Sequence, residues 1–232
     1  QTLESQLTMY HAIKKGMDAR TKLLESAKDP VWEVPYLLID PVDIGRNYKA
    51  IIRINSQSGK GGVAYVLANE YGYDLPKSMH LEVGSFINDQ ADRNQKELSG
   101  QEIYEVFLEE FCNRNTPIEL LSEDVDRLAP ENGQNRYQCK AEVKFQGTKK
   151  LIEGTGNGPI NAFVHAMEKE GWKDFHLTDF RQHALGGGSA TDSAAYIQLT
   201  LYEGKAAYGC GTDSNIETAG LKALISAFNR LH

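Results

Sequence analysis

The chain has 232 residues, of which 41% are hydrophobic and 25% charged, which supports one or two domains with a real core and gives no argument for disorder. A formal net charge of −7 argues against nucleic acid as a partner, because phosphate binding needs clustered Lys and Arg. No run of ~18 apolar residues is present to span a membrane, and Gln1–Thr8 is polar, without the apolar core of a secretory leader.

The cysteines, Cys112, Cys139 and Cys210, are odd in number, widely spaced and without a CxxC pair, which reads as a reducing compartment with buried or idle thiols. The six histidines form no HxH, HxxxH or HExxH pattern, so no metal site is expected from this chain. Lys144–Lys150, the most basic stretch, reads as a solvated hairpin tip around Gly147.

In chain order, Leu7–Ala27 is rich in Ala, Lys, Leu and Glu and predicts a helix. Trp32–Pro41 carries two prolines in an apolar stretch and predicts an extended contact element. A short strand is expected over Tyr48–Ile54, a glycine-started helix over Gly59–Tyr71 and an extended piece over Pro76–Val83. Ser99 with Glu102 fits a capping box, and Ile103, Val106, Phe107 and Phe111 form a helical core stripe behind it. Asn113–Pro117 then marks a boundary.

Beyond it the texture turns strand-like: Ile118–Ala129, Tyr137–Phe145 and Lys149–Glu153, then a helix over Asn157–Glu170. Strands recur at Phe175–Ala184, Ala194–Leu201 and Lys205–Gly209, followed by a helix over Ser214–Arg230. This is an internal repeat, strand-strand-strand-helix twice. Gly154-Thr155-Gly156-Asn157 answers to Gly209-Cys210-Gly211-Thr212, which puts Gly156 and Gly211 55 residues apart. One unit cannot cover both faces of its sheet, so the two should pack together, and leftover edges invite a second subunit. The fold class is α+β: helical linker subdomains over 1–45 and 46–115, then a duplicated domain over 116–232 with repeats 116–171 and 172–232.

Each Gly-x-Gly reads as a tight turn between strand and helix, where free helix N–H groups favour a small carboxylate. Neither Gly154–Pro159 nor Ser56–Gly62 has the spacing of a nucleotide-binding loop. His183–Ser193, with three consecutive glycines, reads as a mobile loop able to order over a ligand. No catalytic triad, paired-carboxylate motif or Cys beside His is visible.

Three stretches carry a resemblance: Trp32-Glu33-Val34-Pro35-Tyr36-Leu37 with Asp40-Pro41 and Ile44-Gly45-Arg46; Arg53-Ile54-Asn55-Ser56-Gln57-Ser58-Gly59-Lys60-Gly61-Gly62-Val63-Ala64-Tyr65; and Gly154–Pro159. In this order they resemble 2-isopropylmalate synthase of the longer type, over nearly the whole chain from Ala12. The resemblance implies a cytoplasmic enzyme that condenses acetyl-CoA with 2-oxoisovalerate in leucine biosynthesis. Its amino-terminal barrel would hold a divalent metal, and linker subdomains and a leucine-binding feedback domain would follow.

The barrel is missing from this sequence. The chain is therefore expected to be inactive alone, with no cofactor of its own, leucine as effector and partner, the missing barrel as a further partner, and a homodimer as its assembly. Nucleic acid and membrane are not expected partners. By resemblance Tyr36 is a catalytic helper, idle without the barrel. A family His expected before Ala12-Ile13-Lys14-Lys15-Gly16 falls at Met9, and His11 lies two residues later, about 200° round a helix. The implied leucine site comprises Gly156, Asn157, Ile160 and Asn161 from the first repeat. Leu177, Phe180 and Ala184 would line its apolar pocket, and Thr191 and Asp192 of the glycine loop complete it, with Asp192 suited to the leucine ammonium. The regulatory module of a related citramalate-type synthase, sensing another branched-chain amino acid, is the alternative.

Overall fold

The computed structural model describes residues 3–25, 32–45, 60–131, 133–186 and 191–232. The strand expected over Tyr48–Ile54 and residues 53–59 of the longest shared motif lie outside them. Helix α1 (Leu3–Glu25) is followed by the 32–45 segment, which ends in a short 3-10 turn over Pro41–Ile44. Gly16 lets the two touch: a methyl group there would lie 2.8 Å from Pro35 Cδ and 3.2 Å from Val34 Cγ1. Val34 is buried at this contact, and Arg20 lies over the Trp32 ring at 5.0 Å.

Three helices form the next layer: α2 (Lys60–Tyr71), α3 (Met79–Asn94) and α4 (Gly100–Phe111). Helix α1 reaches α2 through Lys14 Nζ, which donates to Asn69 Oδ1 at 3.0 Å. Helix α4 starts with the expected box: Ser99 N–H donates to Glu102 Oε2 at 2.9 Å, and Glu102 N–H donates to Ser99 Oγ at 3.3 Å. Ile103, Phe107 and Phe111 are fully buried, each worth about 2–3 kcal/mol of apolar transfer, while Val106 sits at the margin.

The extended reading of Pro76–Val83 is overturned, because α3 begins at Met79. One row of apolar residues recurs every four positions (Met79, Val83, Ile87, Ala91), and all four are buried. The start signal is weak: Ser78 stands at the N-cap position but does not cap, and Leu81 replaces the Glu or Gln of a capping box. The Ser78 hydroxyl lies 2.5 Å from that of Tyr208 instead.

The remaining chain forms two antiparallel sheets of identical plan. Strands β1 (Ile118–Glu131), β2 (Gln134–Phe145) and β3 (Thr148–Gly156) precede α5 (Pro159–Lys169). Strands β4 (Phe175–Ala184), β5 (Ser193–Leu201) and β6 (Ala206–Asp213) precede α6 (Ile216–Leu231). The helices lie on the inner faces, and one core joins Ala141, Val143, Ile152 and Phe163 to Ile197, Leu199, Leu224 and Phe228.

The glycine pairs are not turns. Gly154 and Gly156 lie within β3, and Gly209 and Gly211 within β6. A methyl group at Gly154 would sit 2.2 Å from the Ala162 carbonyl oxygen, and one at Gly211 2.0 Å from that of Ala219. These glycines let a helix lie directly on a strand backbone, a requirement of close approach rather than of turning.

The register also corrects the repeat alignment. Cys139 pairs with Gly154, and Ala195 pairs with Gly211. Both β1 and β4 carry a bulge, between Leu120 and Ser122 and between Leu177 and Asp179. The helix N-cap positions are Gly158 and Asn215. The bulges, the paired glycines and the N-caps are each spaced by 57 residues, and the middle strands β2 and β5 by 56. Gly211 therefore answers to Gly154, and Gly156 answers to Asp213.

The outer faces differ. On the second sheet Ala194, Tyr196, Tyr208 and Cys210 are buried in one cluster with Leu67, Val83, Phe107 and Phe111 of the three linker helices. Arg230 locks this contact: its side chain is 8% exposed, its Nε donates to Glu110 Oε1 at 3.1 Å, it also bonds Glu82, and it stacks on Phe111. All three cysteines are buried and free.

Candidate functional site

The residues expected to form a site come from two elements of different repeats. Helix α5 starts immediately after β3, and its N-cap, Gly158, has no side chain, so its first turn has no side-chain cap. Asn161 Oδ1 accepts the Asn157 N–H at 3.2 Å, which orders the connection from Gly156. The pseudo-equivalent helix α6 is closed: Asn215 Oδ1 accepts from Glu217 N at 2.8 Å and from Thr218 N at 3.4 Å. Of the two helix starts, α5 is the one able to offer N–H groups to an anionic ligand.

Strand β4 supplies the apolar side. Leu177 and Phe180 are three apart, which on a regular strand would put them on opposite faces. The bulge at Thr178 removes one step of the alternation. Phe180 therefore pairs with Ile197 on the core side, and Ala184 follows opposite Ser193. Leu177 and Ile160 are half-buried against the core, whereas Phe180 remains 42% exposed. Ile160 and Phe180 meet over Gly220 of α6: a methyl group built there would lie 2.7 Å from Ile160 Cδ1 and 4.0 Å from Phe180 Cε2.

Thr191 and Asp192 stand at the far end of β4. Leu185 N–H donates to the Asp192 carbonyl at 2.8 Å, and Thr191 packs beside Gly186. The backbone is thereby pinned on both sides of the glycine loop, whose residues 187–190 lie outside the described part. The Asp192 side chain and Ala184 are exposed. Tyr36 belongs to a different region: it lies on the segment packed against α1, 69% exposed and in a left-handed conformation with φ 66°. Leu38, Ile39, Val42 and Ile44 are exposed around it, an uncovered apolar surface.

The other face of β4 ties the site to the linker helices. The Asp179 carboxylate accepts from Ser78 Oγ at 3.3 Å and from the Tyr208 hydroxyl. Burial, and then that bond, pushes the Tyr208 pKa up to about 12. Arg181 pairs with Asp74 at 2.5 Å, and His183 Nε2 lies 3.0 Å from the Tyr196 hydroxyl. Sequence reasoning missed these three residues and Gly220. The alternation of Asp179, Arg181 and His183 against Phe180 and Ala184 was the available signal, hidden by the bulge. Gly220 shows itself once the 57-residue register places it against Phe163.

Among the described residues no three His, Cys, Asp or Glu side chains gather to hold a metal ion. No helix among them is long and apolar enough to cross a membrane.

Comparison with known proteins bears on the same elements. Residues 97–232 match the model of the LeuA allosteric (dimerisation) domain, and residues 9–68 match the alpha-isopropylmalate synthase post-catalytic domain-like model. The chain is similar to the 2-isopropylmalate synthase of Clostridium acetobutylicum, at 40% identity over 94% of this chain and 38% of that protein. It is likewise similar to those of Pseudomonas fluorescens (41% identity, 94% of this chain, 37% of that protein) and Brucella suis (41%, 95% and 39%). It thus spans under two fifths of the length of these relatives. With the allosteric-domain model matched over more than half of the chain, across both α+β repeats, and a post-catalytic match before it, the chain belongs to the 2-isopropylmalate synthase family, of which it carries the regulatory and dimerisation region.

Proposed function

We propose that this region binds leucine and, within a complete synthase, transmits feedback inhibition to the condensation of acetyl-CoA with 2-oxoisovalerate. The observation that supports the reading is an uncapped helix start whose first-turn residue Ile160 lies with Phe180 over the bare backbone of Gly220. The first turn of α5 supplies N–H donors for a carboxylate, Ile160, Leu177 and Phe180 supply the walls for a branched side chain, and Asp192 supplies a carboxylate for the ammonium. A metal-dependent barrel, outside this chain, would supply the chemistry, and Tyr36 with its apolar neighbours is the surface offered to it. The matched dimerisation model supports a homodimer built through the duplicated domain.

Calorimetric titration of leucine, isoleucine and valine into the 232-residue chain tests this. Saturable binding that prefers leucine is expected, weakened about tenfold or more by Phe180→Ala and by Asp192→Asn. Absence of binding at millimolar leucine would overturn the reading. Light scattering of the same sample should give twice the chain mass, and a monomer at micromolar concentration would refute the dimer.

A further inference from the structure

The duplication predicts two equivalent niches, and the side chains leave room for one. Applying the 57-residue register, Ile160 of the niche is answered by Glu217, Asn161 by Thr218, Phe180 by Glu123 and Gly220 by Phe163. In the second position Thr218 Oγ1 donates to the Glu123 carboxylate, which ties α6 onto β1. Phe163 fills the floor there and is fully buried. In the first position the floor is Gly220, a buried residue inside a sixteen-residue helix. Glycine is a poor helix former, so local preference does not account for it. Its φ is not in the left-handed region, so backbone conformation does not account for it either. What does account for it is Ile160 Cδ1, which occupies the space a Cβ would take, 2.7 Å from that position.

We propose that Gly220 is a specificity-determining residue, which sets the size of the amino-acid side chain the niche accepts by giving Ile160 room to withdraw from it. The inference rests on the amino-acid-binding reading above. With any side chain at 220, the Ile160 δ-methyl must turn away from α6. On this proposal it turns toward Phe180, which lies 4.0 Å from the same point, and so enters the space proposed for the leucine side chain.

The test is titration of leucine and valine into the wild-type chain, Gly220→Ala, and the double variant Gly220→Ala with Ile160→Val. Gly220→Ala should weaken leucine by about tenfold or more and valine by under about threefold, so that the preference falls. Ile160→Val removes the one atom that collides, and in the double variant the leucine affinity should return to within about threefold of wild type. A merely structural glycine would weaken both ligands alike and would not be rescued. An unchanged leucine-to-valine ratio in Gly220→Ala overturns the proposal. Should Gly220→Ala fail to fold, Ile160→Phe decides: a side chain too large for the space over Gly220 must project into the niche, so leucine should weaken by about tenfold or more and valine by less, and an unchanged ratio overturns the proposal. A wild-type chain that binds none of these amino acids overturns the site itself, an outcome distinct from a bound leucine indifferent to residue 220.

Discussion

The two repeats share a backbone plan and differ in what their outer faces meet. One register row shows it. In the first sheet Asp124, Lys140 and Glu153 stand side by side, and 57 or 56 residues later the same row reads Arg181, Tyr196 and Cys210. The first row faces solvent, and Lys140 and Glu153 are exposed. In the second row Tyr196 and Cys210 are fully buried under the linker helices, which Arg230 and Glu82 clamp from the edge. A duplicated unit thus kept its inner face, where both copies must pack on one another, and diverged on the outer face, where only one copy has a partner. The same divergence recurs at the helix starts. Helix α6 is capped by Asn215 and tied to β1. Helix α5 begins at a bare glycine, and its first-turn Ile160 lies over Gly220. Strand β4 links the two settings, because it turns Phe180 to the core side and Asp179 and Arg181 to the linker helices.

The largest expected effect tests the outer-face contrast. Tyr196→Ala removes a buried ring and its bond to His183 and should cost about 4 kcal/mol in chemical denaturation. Lys140→Ala, at the same place in the first sheet, should change stability by less than about 0.5 kcal/mol. Equal effects would break the comparison.

The inner face should behave alike in both copies. Gly154→Ala and Gly211→Ala each force a methyl group into a helix backbone and should each cost about 2–3 kcal/mol in thermal unfolding. A loss confined to one of them would show that the two helices do not sit equivalently.

The smallest effect sharpens the contrast between the helix starts. Asn215→Ala should destabilise by about 1 kcal/mol through loss of the α6 cap. Gly158→Asn is sterically free, since its backbone is extended and nothing lies within 4 Å of an added Cβ. It should stabilise the chain by a few tenths of a kcal/mol while weakening leucine, because the new cap takes the N–H groups the ligand needs. Stabilisation with unchanged leucine affinity would locate the ligand elsewhere.

Much of the fold is legible in the amino-acid sequence. The Ser99–Glu102 box and the Ile103–Phe111 stripe declare α4, because capping and amphipathic periodicity act over one or two turns and need no distant partner. Alternation and turn residues declare six strands, and the order of elements declares the duplication. Helix α3 is harder to see because Ser78 has no Glu or Gln at position 81 to complete a capping box, and its hydroxyl finds its partner in Tyr208, 130 residues away.

The glycines of β3 and β6 are visible as glycines but not as what they do. Composition shows where side chains are missing, and only packing shows which atom fills the space. The same limit governs the niche. Order and patterning of residues sufficed for the repeat and for the expectation that its two units pack together, and the family resemblance pointed to the residues of α5 and β4 from which a site could be built. The tertiary structure decided the 57-residue register, the bulge that turns Phe180 inward and the meeting of Ile160, Phe180 and Gly220. Those depend on strand pairing and helix approach between segments far apart in the chain, interactions that no local pattern encodes.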